Sequence, residues 1–275
     1  MEPTVFSIWS GYDPELSPEE LVLALEKRGM TVCELSTEHG EMLLAREGDP
    51  AAVGRQYRAY AAAHGVQFPQ GHLWLGAPLC GGTDATRLNL ERWLSLYAAI
   101  GVRNAVLHCD EDSFPAGTDT ATMIAANARA LQPYIRCAEK LDIRICLENL
   151  VKYIRTAEDL LAVIEQAGGS EHLGICLDTG HLNLAAPGTE AQFIRCAGNR
   201  LHALHIDDNE GHTDQHLLPF GRGNVDFTAV MQALREVGYS DLFNYEIPGE
   251  RCPAGMVREA KVEYIRRVTG YLMTL

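Results

Sequence analysis

The stretch HIDDNEGHTDQH, residues 205–216, holds three histidines and four acids in twelve positions, between an apolar run and a glycine-containing turn. Acids and imidazoles also close a series of other short apolar runs. Glu34 ends TVCELS, His72 ends VQFPQGHL, His108 ends NAVLHC, and Glu148 with Asn149 ends IRICLENL. Asp178 ends LGICLD, with His181 three residues on; His205 ends LHALHI, with Asp207 and Asp208 beyond; Glu246 ends LFNYEIP. A single histidine in such a place is ordinarily a satisfied core or rim residue, and a charged loop with glycine is ordinarily solvated. Seven consecutive runs ending this way ask for another account. Buried ionisable groups are costly unless paired or coordinated, and a divalent cation would compensate a ring of them.

The ligand types narrow the metal. Glu148, Asp178, His205 and Glu246 form a set of three carboxylates and one imidazole, which suits Mn²⁺, Mg²⁺ or Co²⁺. His72, His108, His181, Asp214 and His216 form a second group, richer in nitrogen, which suits Zn²⁺. That second group has two readings: further metal ligands, or residues that support the first set and bind substrate.

These side chains need a scaffold that brings strand ends together. Eight β-rich runs are legible, at 4–9, 31–36, 66–73, 104–109, 143–150, 173–178, 201–206 and 242–248. Helical periodicity separates them, over 17–29, 49–65, 84–101, 118–141, 156–167, 189–199, 226–238 and 254–273. Ser17, Pro18 and Glu20 read as a capping box with proline in the first turn, and Gly29 as the stop. Strands that are mostly continuous apolar runs are covered on both faces. Eight strand–helix units predict one closed parallel (β/α)₈ (TIM) barrel over residues 1–275, with its site at the C-terminal strand ends. An open doubly wound sheet is the alternative; no GxGxxG follows the first strand to support it.

Composition limits the partners. The chain is 47% hydrophobic, yet no apolar stretch reaches the roughly 18 residues of a membrane span. MEPTVFSIWS has no basic segment followed by an apolar one, so a cytoplasmic protein without a signal peptide is expected. The formal net charge of −14 opposes a phosphate-backbone partner, which binds mostly through Lys and Arg. The eight cysteines form no CxxC pair and read as small buried hydrophobes.

CLEN (146–149), CLDTGH (176–181), HIDDNEGHTDQHLLPFGRGNVDF (205–227) and NYEIPGE (244–250) together resemble the signature of the xylose isomerase-like barrels. That superfamily includes sugar isomerases and epimerases, inosose dehydratase, hydroxypyruvate isomerase and endonuclease IV, and the resemblance runs along essentially the whole chain. For epimerase-type members it implies one metal held by Glu148, Asp178, His205 and Glu246, the two glutamates doubling as acid and base. For an endonuclease IV-like site it implies three zinc ions on His72, His108, Glu148, Asp178, His181, His205, Asp214, His216 and Glu246. The loops WSGYDPELS and STEHGEM carry no basic cluster to grip a duplex. Ketose 3-epimerases place an arginine soon after the strand 7 histidine; here the first is Arg222.

The resulting expectation is an enzyme: a metal-dependent sugar isomerase or epimerase acting on a small carbohydrate, with Mn²⁺ first among the metals. Glu148 and Glu246 would move a proton at a carbon next to a carbonyl while the metal stabilises the enediolate. The alternatives are a lyase or dehydratase on a keto-sugar or keto-inositol, and an endonuclease IV-like phosphodiesterase. Trp9 and Trp74 are placed to wall a sugar ring, or equally to cap the core. Glu34, His39 and His181 are candidate hydroxyl contacts, and Asn149 could orient Glu148. Barrels of this type often pair, so a homo-oligomer is expected.

Overall fold

A computed structural model describes residues 5–249 and 255–275. Thr4, Glu250 and Ala254, at the edges of expected elements, lie outside the described residues. All eight expected strands are present: β1 (Phe6–Ile8), β2 (Val32–Leu35), β3 (Gln67–His72), β4 (Asn104–His108), β5 (Arg144–Glu148), β6 (Leu173–Asp178), β7 (Leu201–His205) and β8 (Phe243–Tyr245). β2 to β7 form a parallel run in chain order, and β1 pairs in parallel with β8. A bridge between Ile206 and Tyr245 joins β7 to β8. At the β1–β2 seam the contacts include Cys33 Sγ with Ile8 O at 3.1 Å and Ser36 N donating to Ser10 Oγ at 2.7 Å. The architecture is the (β/α)₈ barrel that the alternation predicts.

The helices are α1 (Pro18–Lys27), α2 (Thr37–Leu44), α3 (Pro50–Ala63), α4 (Asp84–Ile100), α5 (Thr120–Ala130), α6 (Gln132–Leu141), α7 (Ala157–Gln166), α8 (Thr179–Ala185), α9 (Glu190–Ala197), α10 (Phe227–Glu236) and α11 (Gly255–Leu272). The capping box at Ser17 and Glu20 is formed. The helix expected over 118–141 is two helices, because Pro133 has no N–H to carry the ladder past Leu131. Two elements were not expected. α2 falls on STEHGEM, expected as a loop, and carries a glycine, Gly40, inside the helix. That glycine is required: a Cβ on Gly40 would collide with the buried rings of Trp93 and Tyr97. α8 starts at Asp178, whose side chain caps it.

Strand alternation sorts the barrel interior. The inward positions two residues before the ends of β4 to β7 are small and apolar: Val106, Cys146, Cys176 and Ala203 form one buried cluster. The opposite half is polar, with Ser7, Glu34, Gln70 and Asn244 all fully buried. No helix among the described residues is long and apolar enough to cross a membrane.

α3 and α4 pack with backbones in near contact. A Cβ on Gly54 would lie 2.6 Å from Leu96 O and 2.8 Å from the Ala99 Cβ. Gly54→Ala should therefore destabilise the fold by about 1–3 kcal/mol, as overpacked sites do, despite alanine's better helix propensity. Urea unfolding read by circular dichroism checks this; an unchanged or higher midpoint would show that the helices separate at no cost.

Candidate metal centre

Glu148, Asp178, His205 and Glu246 converge, with one ligand atom from each lying within 4.8 Å of the others. β5, β6, β7 and the residue after β8 deliver them. His205 is central. Its Nε2 faces Glu34 Oε1 at 3.1 Å. Its Nδ1 lies 2.6 Å from Glu246 Oε2, 3.3 Å from Glu148 Oε1 and 3.9 Å from Asp178 Oδ2, yet has no hydrogen bond. Asp178 divides its carboxylate: Oδ1 accepts the His181 N–H at 2.6 Å, while Oδ2 is buried without a partner. Atoms bound to one ion at about 2.0–2.2 Å stand roughly 3–4 Å apart. A buried carboxylate oxygen without a hydrogen bond, beside an imidazole nitrogen held among three carboxylates, fits a divalent cation.

The second group also converges, as two nests flanking the first. His72 Nδ1 bonds Leu73 O at 2.8 Å, which turns Nε2 inward. That Nε2 lies 3.3 Å from His108 Nε2, and the two lie 3.4 and 3.1 Å from Glu148 Oε2. On the other side, a short hairpin closed between Asp208 and Leu217 returns the chain. It places Asp214 Oδ2 3.5 Å from His181 Nε2 and 3.2 Å from His216 Nε2. His216 has a positive φ of 46°, a conformation that non-glycine residues adopt rarely. Its Nδ1 is held by Glu246 O at 2.8 Å and Asp207 Oδ2 at 3.0 Å.

Charge follows this packing. Burial works against ionised Glu148, but His205 and His108 hold its pKa well below the usual range. Burial likewise opposes Glu246, and His205 brings it down to about 2. Burial and the neighbouring Asp207 push Asp178 well up. Burial raises Asp207 to about 6 against the pull of His216. Burial disfavours charge on His205, but Cys176, Glu246, Glu34 and Glu148 outweigh it and raise its pKa well above normal. His216, opposed by burial, is driven up to about 12 by Asp207 and Asp214. The centre thus attracts positive charge, as protons or as metal.

Several expected residues stand elsewhere. Glu34 was expected at the mouth, but β2 is registered so that Glu34 pairs with Gln70, two residues below His72. Its buried carboxylate is taken up by Gln70, Asn244 and His205, so it has no free edge for a substrate hydroxyl. His39 is buried, with Nδ1 3.2 Å from Ser36 Oγ. Asn149 serves the sheet instead of Glu148: it bonds Asp178 N at 2.8 Å and Asp178 O at 3.0 Å. Trp9 is half-buried, its Nε1 donating to Ile247 O at 2.9 Å, and Trp74 is half-buried against the core. His212 is exposed, as is Arg222, 3.7 Å from Glu210. A cavity of about 260 Å³ opens beside the centre, lined by Gly76, Pro78, Ser113, Lys152, His108 and His181.

Sequence reasoning missed Gln70, Asn244 and Ser7, although strand alternation places Gln70 on the face of His72 and Asn244 on that of Glu246. It also gave no role to Gly180. A Cβ there would run into the Asp207 carboxylate, so the glycine of CLDTGH makes room for the acid that holds His216.

A family model described as the xylose isomerase-like TIM barrel matches residues 22–268, and the chain belongs to that family. Over 168 residues it is 34% identical to the uncharacterized protein y4fM of Sinorhizobium fredii, covering 59% of this chain and 52% of that one. Over 119 residues it is 32% identical to D-psicose 3-epimerase of Enterocloster bolteae, covering 42% and 37%. The chain thus spans about half or less of the length of these curated relatives. A solved structure of D-psicose 3-epimerase in the presence of D-fructose superposes with a TM-score of 0.78, covering 98% of this chain and 99% of that one at 16% identity, which is a likeness of fold.

The raised histidine pKa values set a pH dependence. Below them the rings are cationic and must lose a proton to offer a lone pair, so metal uptake should release protons and weaken as pH falls. Calorimetric titration of metal-free protein with Mn²⁺ at pH 7, in two buffers of different ionisation enthalpy, should give at least one proton released per ion. Zero release would mean that no charged histidine becomes a ligand.

Proposed function

We propose that the chain is a divalent-metal-dependent sugar isomerase or epimerase that transfers a proton at a carbon next to a carbonyl. The observation that carries this reading is the convergence of the Glu148, Asp178 and Glu246 carboxylates on the buried Nδ1 of His205, with Asp178 Oδ2 left without a hydrogen bond. The likeness to a curated D-psicose 3-epimerase supports the substrate class. Three carboxylates and one imidazole suit Mn²⁺ best, with Mg²⁺, Co²⁺ and Zn²⁺ as alternatives. Bound there, such an ion would supply Lewis acidity to a substrate carbonyl.

The chain's own groups divide the proton work. The Glu246 side chain is 11% exposed and that of Glu148 only 1%. Glu246 is therefore the group to which a substrate C–H has better access, and Glu148, arriving from β5, would return the proton. His181, in the wall of the adjoining cavity, would bond a substrate oxygen. A lyase acting on a keto-sugar or keto-inositol would use the same first proton abstraction.

A second reading draws on the two flanking nests. Three ions, on the sets that endonuclease IV would use, would make a multi-zinc phosphodiesterase. In that case both oxygens of Glu148 would be committed, since Oε2 faces His72 and His108 while Oε1 faces His181 and His205. A carboxylate so engaged is a poor proton acceptor. The net charge of −14 weighs against a nucleic-acid substrate.

Elemental analysis of protein purified without chelator separates the two. About one Mn, Mg or Co per chain is expected for the isomerase, and two or three Zn per chain would favour the phosphodiesterase. With a turned-over sugar in D₂O, Glu246→Gln should slow deuterium incorporation at the substrate carbon by roughly 10²–10⁴-fold, the usual contribution of a general base. Incorporation at the wild-type rate would remove Glu246 from the acid–base role.

A further inference from the structure

Glu34 is a buried carboxylate whose two oxygens are engaged from different sides. Oε2 accepts an N–H from Gln70 Nε2 at 2.9 Å and another from Asn244 Nδ2. Oε1 faces His205 Nε2 at 3.1 Å. Neither amide donor is free to turn. Ser7 Oγ donates to Asn244 Oδ1 at 2.6 Å, which fixes that amide. Gln70 Nε2 also donates to Leu204 O at 3.3 Å. Ser7, Glu34, Gln70, His205 and Asn244 are all fully buried, so water cannot replace a lost partner.

Building on the metal reading above, we infer that Glu34 is a positioning residue that fixes which nitrogen His205 offers to the cation. A carboxylate has only acceptors, so the ring nitrogen facing it carries the hydrogen. When His205 is neutral, as a metal ligand must be, its lone pair then sits on Nδ1, directed at Glu148, Asp178 and Glu246. The two amides beneath make this arrangement robust, because they hold the carboxylate at the height where Oε1 reaches the ring. Metal-bound histidines commonly donate their second ring N–H to such a partner, and loss of the partner typically lowers metal affinity 10–100-fold.

The isosteric amide exposes the mechanism. Gln at position 34 has one oxygen and one NH₂. Two donors converge on the Oε2 position and one on the Oε1 position, so the amide oxygen goes to the former. The NH₂ group then faces His205 Nε2, which must accept. The ring proton moves to Nδ1, where the metal would bind.

The test is equilibrium dialysis of metal-free protein against Mn²⁺ alone, for wild type, Glu34→Gln and Glu34→Asp, with thermal unfolding of each metal-free protein alongside. Glu34→Gln should bind 10–100-fold more weakly than wild type, with an unfolding midpoint that does not account for the loss. Glu34→Asp keeps only acceptors and should bind within about tenfold of wild type. A role in packing alone predicts the reverse order, since Gln matches Glu in volume and Asp leaves a gap. Wild-type affinity in Glu34→Gln, or weaker binding by Glu34→Asp than by Glu34→Gln, would overturn the inference. Should Glu34→Gln not fold, a folded Glu34→Asp protein that takes up no Mn²⁺ would overturn it equally. Wild-type protein that binds no Mn²⁺ would instead overturn the metal-dependent function proposed above.

Discussion

Four carboxylates, Glu34, Glu148, Asp178 and Glu246, surround one buried imidazole, and most of the architecture follows from keeping that arrangement tolerable. Buried like charges repel in a poorly polarisable interior and must be met by positive charge or hydrogen-bond donors. The molecule meets them in layers. Amide donors from Gln70 and Asn244 satisfy the deepest acid. A helix N-terminus takes one oxygen of Asp178. Histidines ring Glu148, with four imidazoles within 3.4 Å of its oxygens. His205 Nδ1, held among three of these carboxylates, and Asp178 Oδ2, buried without a hydrogen bond, are atoms a cation would take.

The same constraint explains the glycines that hold the site together. Gly180 and Gly223 are not turn residues of positive φ; a Cβ at either would meet the carboxylate of Asp207 or Asp208. Asp207 holds His216, and Asp208 bonds the Asn209 and Val225 amides that shape the loop after β7. Backbone without side chains is spent where acids must be packed close to backbone.

The sequence made the strands and the inward residues at their ends readable because alternation and apolar runs are local properties. Hence His72, His108, Glu148, Asp178, His181, His205, Asp214, His216 and Glu246 could be named, and all fall at one mouth. Depth was not readable. Glu34 stands one residue before the end of β2, as Asp178 stands at the end of β6, but inter-strand stagger sets it two residues below His72. Register depends on how eight strands close, and no window of sequence contains it. Gln70, Asn244 and Ser7 were missed for a related reason: polar residues within strands carry little meaning until their partners, up to 237 positions away in the case of Ser7 and Asn244, are known.

The barrel's closure has its own dependence on this network. β1 is paired by hydrogen-bonded ladder to β8, while contacts at its seam with β2 include the Cys33 thiol and the Ser10 hydroxyl. Glu34, on β2, reaches past β1 to Asn244 on β8, whose other end is bonded by Ser7 on β1. The side chains under the metal centre are thus also the latch of the cylinder. An ion bound as proposed would draw His205 against Glu34 and tighten the ring, linking occupancy of the centre to cohesion of the N-terminal strand. On the metal-dependent reading, a chelator added to the loaded protein would act as a mild denaturant, felt first at the seam of β1, β2 and β8.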